Sequence, residues 1–378
     1  MIEYLNGAIR ESIERAQALK KKFPRAADSS IYFEQLITKA QNKIGQIHNE
    51  LSSLFFDQDY SKPDNLKKKF TRFKTIVAEL QLLENMVVAA ISRKHKDDDY
   101  LNLLARKICA EIGYPVQPPV ISCLSQVYYG INTSYNLISM PLLESDFLLH
   151  LPDLYHELGH PLLVGTDPQT LPMRNQLGRL IKEVKVHFDE DIKRVTIVDH
   201  SWEAVNFRYN WRDSWVKNWS HEFFCDLFAT YTLGPAYVWS NLHMCAKMDW
   251  QVFNIPLTKT SSHPPADARM KAMFHTLDML GCREEKELIE EKWNEFISML
   301  NVSTNEDYHI AIQDKFLKRS AELAIEGCQQ MGCISTIGND KAAISGILNV
   351  IWLKFWQNPT EFSDIEKKSV ELLKQHLK

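Results

Sequence analysis

His156, Glu157 and His160 make a His-Glu-x-x-His pattern within His156-Glu157-Leu158-Gly159-His160. Residues four apart on a helix share a face, so both imidazoles can reach one metal ion. The intervening glutamate then stands close enough to take a proton from a metal-bound water. A catalytic zinc also needs a third protein ligand and an open position for water. Downstream the chain reads Trp219-Ser220-His221-Glu222-Phe223-Phe224-Cys225-Asp226-Leu227-Phe228-Ala229, which places Glu222 and Asp226 on one face of an otherwise apolar helix. Carboxylates there are costly unless each is charge-paired or ligates metal. The natural assignment makes Glu222 the third ligand, with Asp226 accepting the other ring N–H of a ligand histidine. An ordinary amphipathic helix with both acids facing solvent fits the same spacing. Cys225, between the acids, reads as a small buried hydrophobe.

The helix that carries the first motif has its own signals. Pro152 and Asp153 suit a first turn, because proline has no amide proton to waste and aspartate faces the positive end of the dipole. Leu154, Leu158 and Leu162 recur on one face. Pro161 disfavours α geometry at His160 and removes the amide that would bond back to Glu157. The helix is therefore expected to kink or stop there.

Together these motifs resemble the gluzincins, zinc peptidases with two histidines from one helix and a glutamate from a second. The nearer resemblance is to the CAAX prenyl-protein proteases, the bacterial heat-shock membrane proteases and their soluble minigluzincin relatives. It covers about residues 127 to 275 of the chain. Tyr135-Asn136-Leu137-Ile138-Ser139-Met140-Pro141-Leu142-Leu143 resembles the edge strand and turn before that family's active-site helix. Glu222-x-x-x-Asp226-x-x-Ala229 is similar to its second helix, and Ser262-His263-Pro264-Pro265 with Arg269 to its His-Pro-Pro…Arg element. Pro161, the aromatic stretch between the two metal helices and the lack of the family's membrane-spanning helices depart from the pattern. The resemblance implies a zincin-like domain that binds Zn²⁺ and hydrolyses peptide bonds in a protein or peptide substrate.

Beside a catalytic zinc, a His, Tyr or Arg commonly stabilises the oxyanion of the tetrahedral intermediate. His263 suits that role, with Arg269 organising the substrate side or pairing with an acid. The same residues equally suit a loop cap before a helix over 266–280, with Arg269 in a structural ion pair. Tyr231 and Tyr237 are further candidates for oxyanion contact. No Gly-x-Met-Glu-Asn segment is present to capture a substrate amino terminus, which favours an endopeptidase.

The elements that must position these groups are mostly helical. The expected class is α+β, predominantly helical: a metallopeptidase domain with a small sheet at 113–282, flanked by helical regions at 1–112 and 283–378. In the first region Leu5, Ile9, Ile13, Ala16 and Leu19 keep helical spacing, as do Phe33, Leu36, Ala40, Ile44, Ile47 and Leu51, and then Phe73, Ile76, Leu80, Leu83, Val87 and Ala90. Breaks fall near Pro24, at Lys62-Pro63-Asp64-Asn65 and at Asp97-Asp98-Asp99. A bundle of this kind is usually a scaffold or partner surface. Strands are expected at 127–129 and 137–140, joined through Gly130-Ile131-Asn132-Thr133, with the stretch near Ser139 as an exposed edge that a peptide extends. The aromatic stretch over 165–218 reads as a substrate wall or lid, or as core under a long connection. Helices are expected over 284–300, 307–330, 341–356 and 363–378.

A net charge of −4 with scattered basic residues argues against a nucleic-acid surface. Lys20-Lys21-Lys22 and Lys67-Lys68-Lys69 read as solvated helix ends. The longest apolar run, 342–356, is too short to span a bilayer and contains Lys354. The N-terminus lacks a signal-peptide core. Seven cysteines without a disulfide framework suit a reducing cytosol, so a cytoplasmic protein is expected. Cys328 and Cys333 lack the second pair that a zinc knuckle needs. The helical flanks suit a regulatory protein partner or self-association. The rival reading is a non-catalytic scaffold or binding protein with a structural or vestigial zinc site, for which Pro161 speaks.

Overall fold

In a computed structural model, the chain is described over residues 2–23, 30–57, 65–93, 96–124, 128–198, 201–247, 252–339 and 343–377. The expected breaks at Pro24 and at Lys62, Pro63 and Asp64 lie outside these residues. The described residues are 76% helical with one three-stranded sheet, so the predominantly helical α+β class holds. Two compact units divide it: Met1–Asn102 with Pro119–Leu142, and Leu103–Pro118 with Leu143–Lys378.

The first unit contains α1 (Ile2–Lys21), α2 (Glu34–Phe56), α3 (Leu66–Leu82), a π-helical turn (Leu83–Val88), α4 (Ala89–Ser92) and the start of α5 (Lys96–Glu111). The periodic apolar residues form its core: Leu5, Ile9, Ile44, Ile47, Leu51, Ile76, Leu80, Leu83 and Val87 are all buried. Leu66–Ser92 is long and apolar enough to cross a membrane by length and composition. Its Ile76, Leu80, Leu83 and Val87 nevertheless lie in the bundle core.

The sheet belongs to this same unit. Val120, Tyr135 and Leu137 share the bundle's core, and this burial joins strand and helix. Its order is β1 (Val120–Ser122), β3 (Leu137–Ser139), β2 (Gly130–Asn132), with β1 parallel and β2 antiparallel to β3. Three expectations are corrected. The strand at 127–129 is not found at Tyr128 and Tyr129, and Val127 lies outside the described residues; Gly130–Asn132, expected to be a turn, is the strand. Val120–Ser122, directly after the expected linker, is a strand too. Finally, β3 is central, with Ser139 opposite Ser122 on one side and Gly130 on the other, so it is no free edge for a peptide.

The second unit holds the rest of α5, then α6 (Asp153–Val164), α7 (Leu171–Val198), α8 (Trp202–Ser214), a second π-helical turn (Trp215–Trp219), α9 (Ser220–Leu233), α10 (Pro235–Lys247), α11 (Ala266–Met279), α12 (Arg283–Leu300), α13 (Glu306–Ala311), α14 (Asp314–Gln330), α15 (Ala343–Gln357) and α16 (Phe362–His376). Lys341, expected to start α15, lies outside the described residues, and the helix expected over 307–330 breaks into α13 and α14. A helix that is apolar all round must be enclosed. α9 comes near this, with every residue but His221 and Glu222 buried, and it packs against α6, α7, α10, α11 and α14. The aromatic stretch over 165–218 supplies core: its Trp211 and Trp215, like Trp219 just after it, are fully buried, while Trp202 remains exposed.

This packing runs across the boundaries expected at 112 and 282. α14 packs on α7, α9 and α11. The Glu111 carboxylate at the end of α5 accepts from the Ile344 and Ser345 amides, capping the start of α15. A fragment cut at 113 and 282 therefore loses the wall behind α9.

In the first unit, Asn102 clasps β1: its side-chain amide donates to the Ile121 and Asp98 carbonyls, and its oxygen accepts from the Ile121 amide. Asn102→Ala strips buried groups of these partners and is expected to cost about 2–3 kcal/mol of stability. Urea unfolding checks this, and an unchanged midpoint contradicts it.

Candidate metal centre

The first motif lies on α6, which starts at Asp153, where the Ser240 hydroxyl donates to the Asp153 carboxylate at 2.9 Å. Leu154, Leu158 and Leu162 are fully buried. The helix does not stop at Pro161; it continues to Val164, and the Gly165 amide donates to the Pro161 carbonyl at 3.1 Å. An internal proline costs about 3 kcal/mol. Burying Leu162 and Leu163 contributes about 1.5–3 kcal/mol each, which holds the last turn on. On the same stretch, the Tyr114 hydroxyl donates to the Leu158 carbonyl at 2.9 Å.

Gly159 sets the distance between α6 and α9. A Cβ built on it would lie 2.8 Å from the Cys225 Cα, inside van der Waals contact. Only glycine allows this approach, and it brings the two histidines of α6 against the acids of α9.

Asp226 is the hub of the cluster. Its carboxylate is fully buried and accepts from Arg269 Nε at 2.7 Å and Nη2 at 2.6 Å. The Tyr237 hydroxyl donates to Oδ1 at 2.5 Å, and Oδ1 lies 2.8 Å from His156 Nδ1. Burial pushes the carboxyl up, but the Arg269 guanidinium and His156 hold it well below the usual carboxylate range.

With His156 Nδ1 engaged, its Nε2 faces Glu222 Oε2 at 3.5 Å. Burial opposes charge on this imidazole, yet the bonds to Asp226 and Glu222 raise it to about 10. Burial likewise raises the Glu222 carboxyl, but His156, His160 and Arg269 bring it down to about 2. The His160 ring packs edge-on to His156 with centroids 5.1 Å apart, and burial beside His156 lowers it to about 4, the neutral form that ligates metal. Glu157, one residue along, is buried. The geometry calls for a cation between His156 Nε2 and Glu222, whether a proton or a metal.

Part of the donor set has the spacing of metal ligands, and Glu222 stands outside the one group of three close donors among the described residues. Two atoms sharing a tetrahedral zinc at about 2.0–2.2 Å stand about 3.3–3.6 Å apart. The 3.5 Å gap between His156 and Glu222 falls in that range. Donor atoms of His156, His160 and Cys225 also lie within 4.8 Å of one another. The Cys225 thiol is fully buried, and desolvation pushes it far up.

The other expected residues divide. His263 comes to the site, its Nε2 3.7 Å from Glu222 Oε2. Arg269 pairs with Asp226 and is 3% exposed, so it does not organise a substrate side. Tyr237 reaches the Nδ1 side of His156, fully engaged with Asp226, and not the Nε2 side where an oxyanion contact belongs. Tyr231 is elsewhere, donating to the Cys333 carbonyl at 3.4 Å. Tyr114 and the π-helical turn before Glu222 escaped the sequence reading; the crowded aromatic run Trp211, Trp215, Trp219 was the nearest signal for the π-helical turn, and Tyr114 had none.

No family model matches the chain, and no curated protein or solved structure is found to be similar to it.

Gly159→Ala is expected to push α6 from α9, costing about 2 kcal/mol of stability and weakening metal binding. Gly178→Ala on α7, where an added Cβ meets nothing within 4 Å, leaves both unchanged. Thermal unfolding with metal titration checks the pair, and equal behaviour of the two variants contradicts the assignment.

Proposed function

We propose that the chain is a zinc-dependent endopeptidase with a zincin-like centre on α6 and α9. The observation that carries this reading is the pairing of His156 Nδ1 with Asp226, which turns Nε2 toward Glu222 at 3.5 Å. His156, His160 and Glu222 would hold Zn²⁺. When bound, zinc acidifies water and polarises a carbonyl oxygen.

The chain's own groups do the rest. Asp226 Oδ1 keeps the proton on His156 Nδ1, so Nε2 presents a lone pair. Glu157 is the general base, taking a proton from the attacking water and passing it to the leaving amine nitrogen. The His263 imidazole, exposed at the Glu222 edge, donates to the carbonyl oxygen as charge develops there. The substrate class is a protein or peptide, and the free, buried state of all seven cysteines suits a reducing compartment. The helices outside the centre are candidate surfaces for a regulatory partner.

A second reading has one observation behind it. Cys225 with His156 and His160 forms a group of three close donors, which a fourth ligand would complete into a structural zinc site of a scaffold protein. The approach of Glu222 to His156 Nε2 at 3.5 Å favours the peptidase.

Glu157→Gln is expected to keep zinc and lose hydrolysis of a pool of fluorescence-quenched peptides by at least about 10²-fold. Undiminished cleavage by that variant would sink the mechanism.

A further inference from the structure

The side chain least explained by packing is His263. Its imidazole is 60% exposed, yet it stands 3.7 Å from Glu222. An exposed ring of this kind has few neighbours to fix it, so its place must come from the backbone that carries it.

That backbone is gripped by one helical stretch. Asn210 Nδ2 donates to the Leu257 carbonyl at 2.7 Å. Four residues on, the Ser214 hydroxyl oxygen accepts from the Ser261 amide at 3.0 Å. Four further, Asn218 Nδ2 donates to the Ser261 carbonyl at 2.8 Å. Ser261 is thus held at both its amide and its carbonyl, as a neighbouring strand would hold it. Ser214 is fully buried, and its own hydroxyl proton goes to the Asn210 carbonyl at 2.7 Å, which leaves a lone pair for Ser261.

Ser261 transmits the hold. Its hydroxyl donates to the His263 carbonyl at 2.8 Å, and the Ser262 hydroxyl shares a hydrogen bond with His263 Nδ1 at 2.9 Å. The second π-helical turn, Trp215–Trp219, lies between Ser214 and α9. Its wider turn shifts the register of α9 against α8. One continuous helix thereby presents Glu222 and Asp226 to α6 and Ser214 and Asn218 to the loop that bears His263.

We infer that Asn218 and Ser214 are positioning residues for His263, fixing the loop so that its imidazole stands beside Glu222 where the reacting carbonyl oxygen gains charge. This rests on the peptidase reading. Neither side chain touches the substrate; both act through Ser261.

The test uses the full-length, zinc-loaded protein and a peptide phosphinate, whose tetrahedral anionic centre imitates the developing oxyanion. Asn218→Leu keeps size and loses the donor; Ser214→Ala removes the acceptor from the Ser261 amide. Each is expected to keep its zinc and to bind the phosphinate about tenfold more weakly by calorimetry. His263→Ala should weaken binding comparably, and adding Asn218→Leu to it should change nothing further. Additive losses in the double variant, or full affinity in Asn218→Leu, would overturn the inference while leaving the peptidase reading intact. A wild-type protein that holds zinc and ignores the phosphinate would remove that reading itself, and the inference with it.

Discussion

A single buried carboxylate, Asp226, holds four helices to one another. From α9 it accepts from Arg269 of α11, from Tyr237 of α10, and pairs with His156 of α6. A charge with no exposure to water is tolerated only when its lone pairs are filled. Here a bidentate guanidinium, a phenol and an imidazole fill them. Taking away one partner from such a group typically costs about 3–5 kcal/mol, so the packing of the second unit and the orientation of its candidate metal ligand rest on the same atoms. The centre cannot be loosened without loosening the core.

The close approach of α6 and α9 is the second constraint. Gly159 lets the helices meet at Cys225, and the enclosing helices, α14 among them, hold α9 in place. Groups on packed helices are positioned more closely than groups on loops. His263 is the exception, because it rides on a loop and gains its place through hydrogen bonds from the helix before α9.

Much of this could be read from the sequence because helical period is a strong signal. The apolar series of α1 to α4 is the core of the first unit, and spacing with the cost of buried carboxylates marked His156, His160, Glu222 and Asp226, of which His156 meets each of the other three. Local rules failed where burial outweighed them. Pro161 does not end α6, since Leu162 and Leu163 are anchored beyond it. Three-residue strands carry too little pattern to read, so Val120–Ser122 goes unseen in the sequence and β3 reads as an edge. Nor does period tell which distant elements pack together. The sheet goes with the first bundle, and α14 and α15 go with the candidate centre. Tyr237 meets the other ring nitrogen of His156 from the one an oxyanion contact requires, and spacing says nothing about that choice.

The central claim is that His156, His160 and Glu222 share one zinc ion. The most direct measurement is zinc content per chain in the purified protein, beside Glu222→Ala and Cys225→Ser. The account predicts about one zinc in the wild type and in Cys225→Ser, and its loss in Glu222→Ala. Loss in Cys225→Ser with retention in Glu222→Ala, or a wild type that takes up no zinc when supplied with it, would contradict the account.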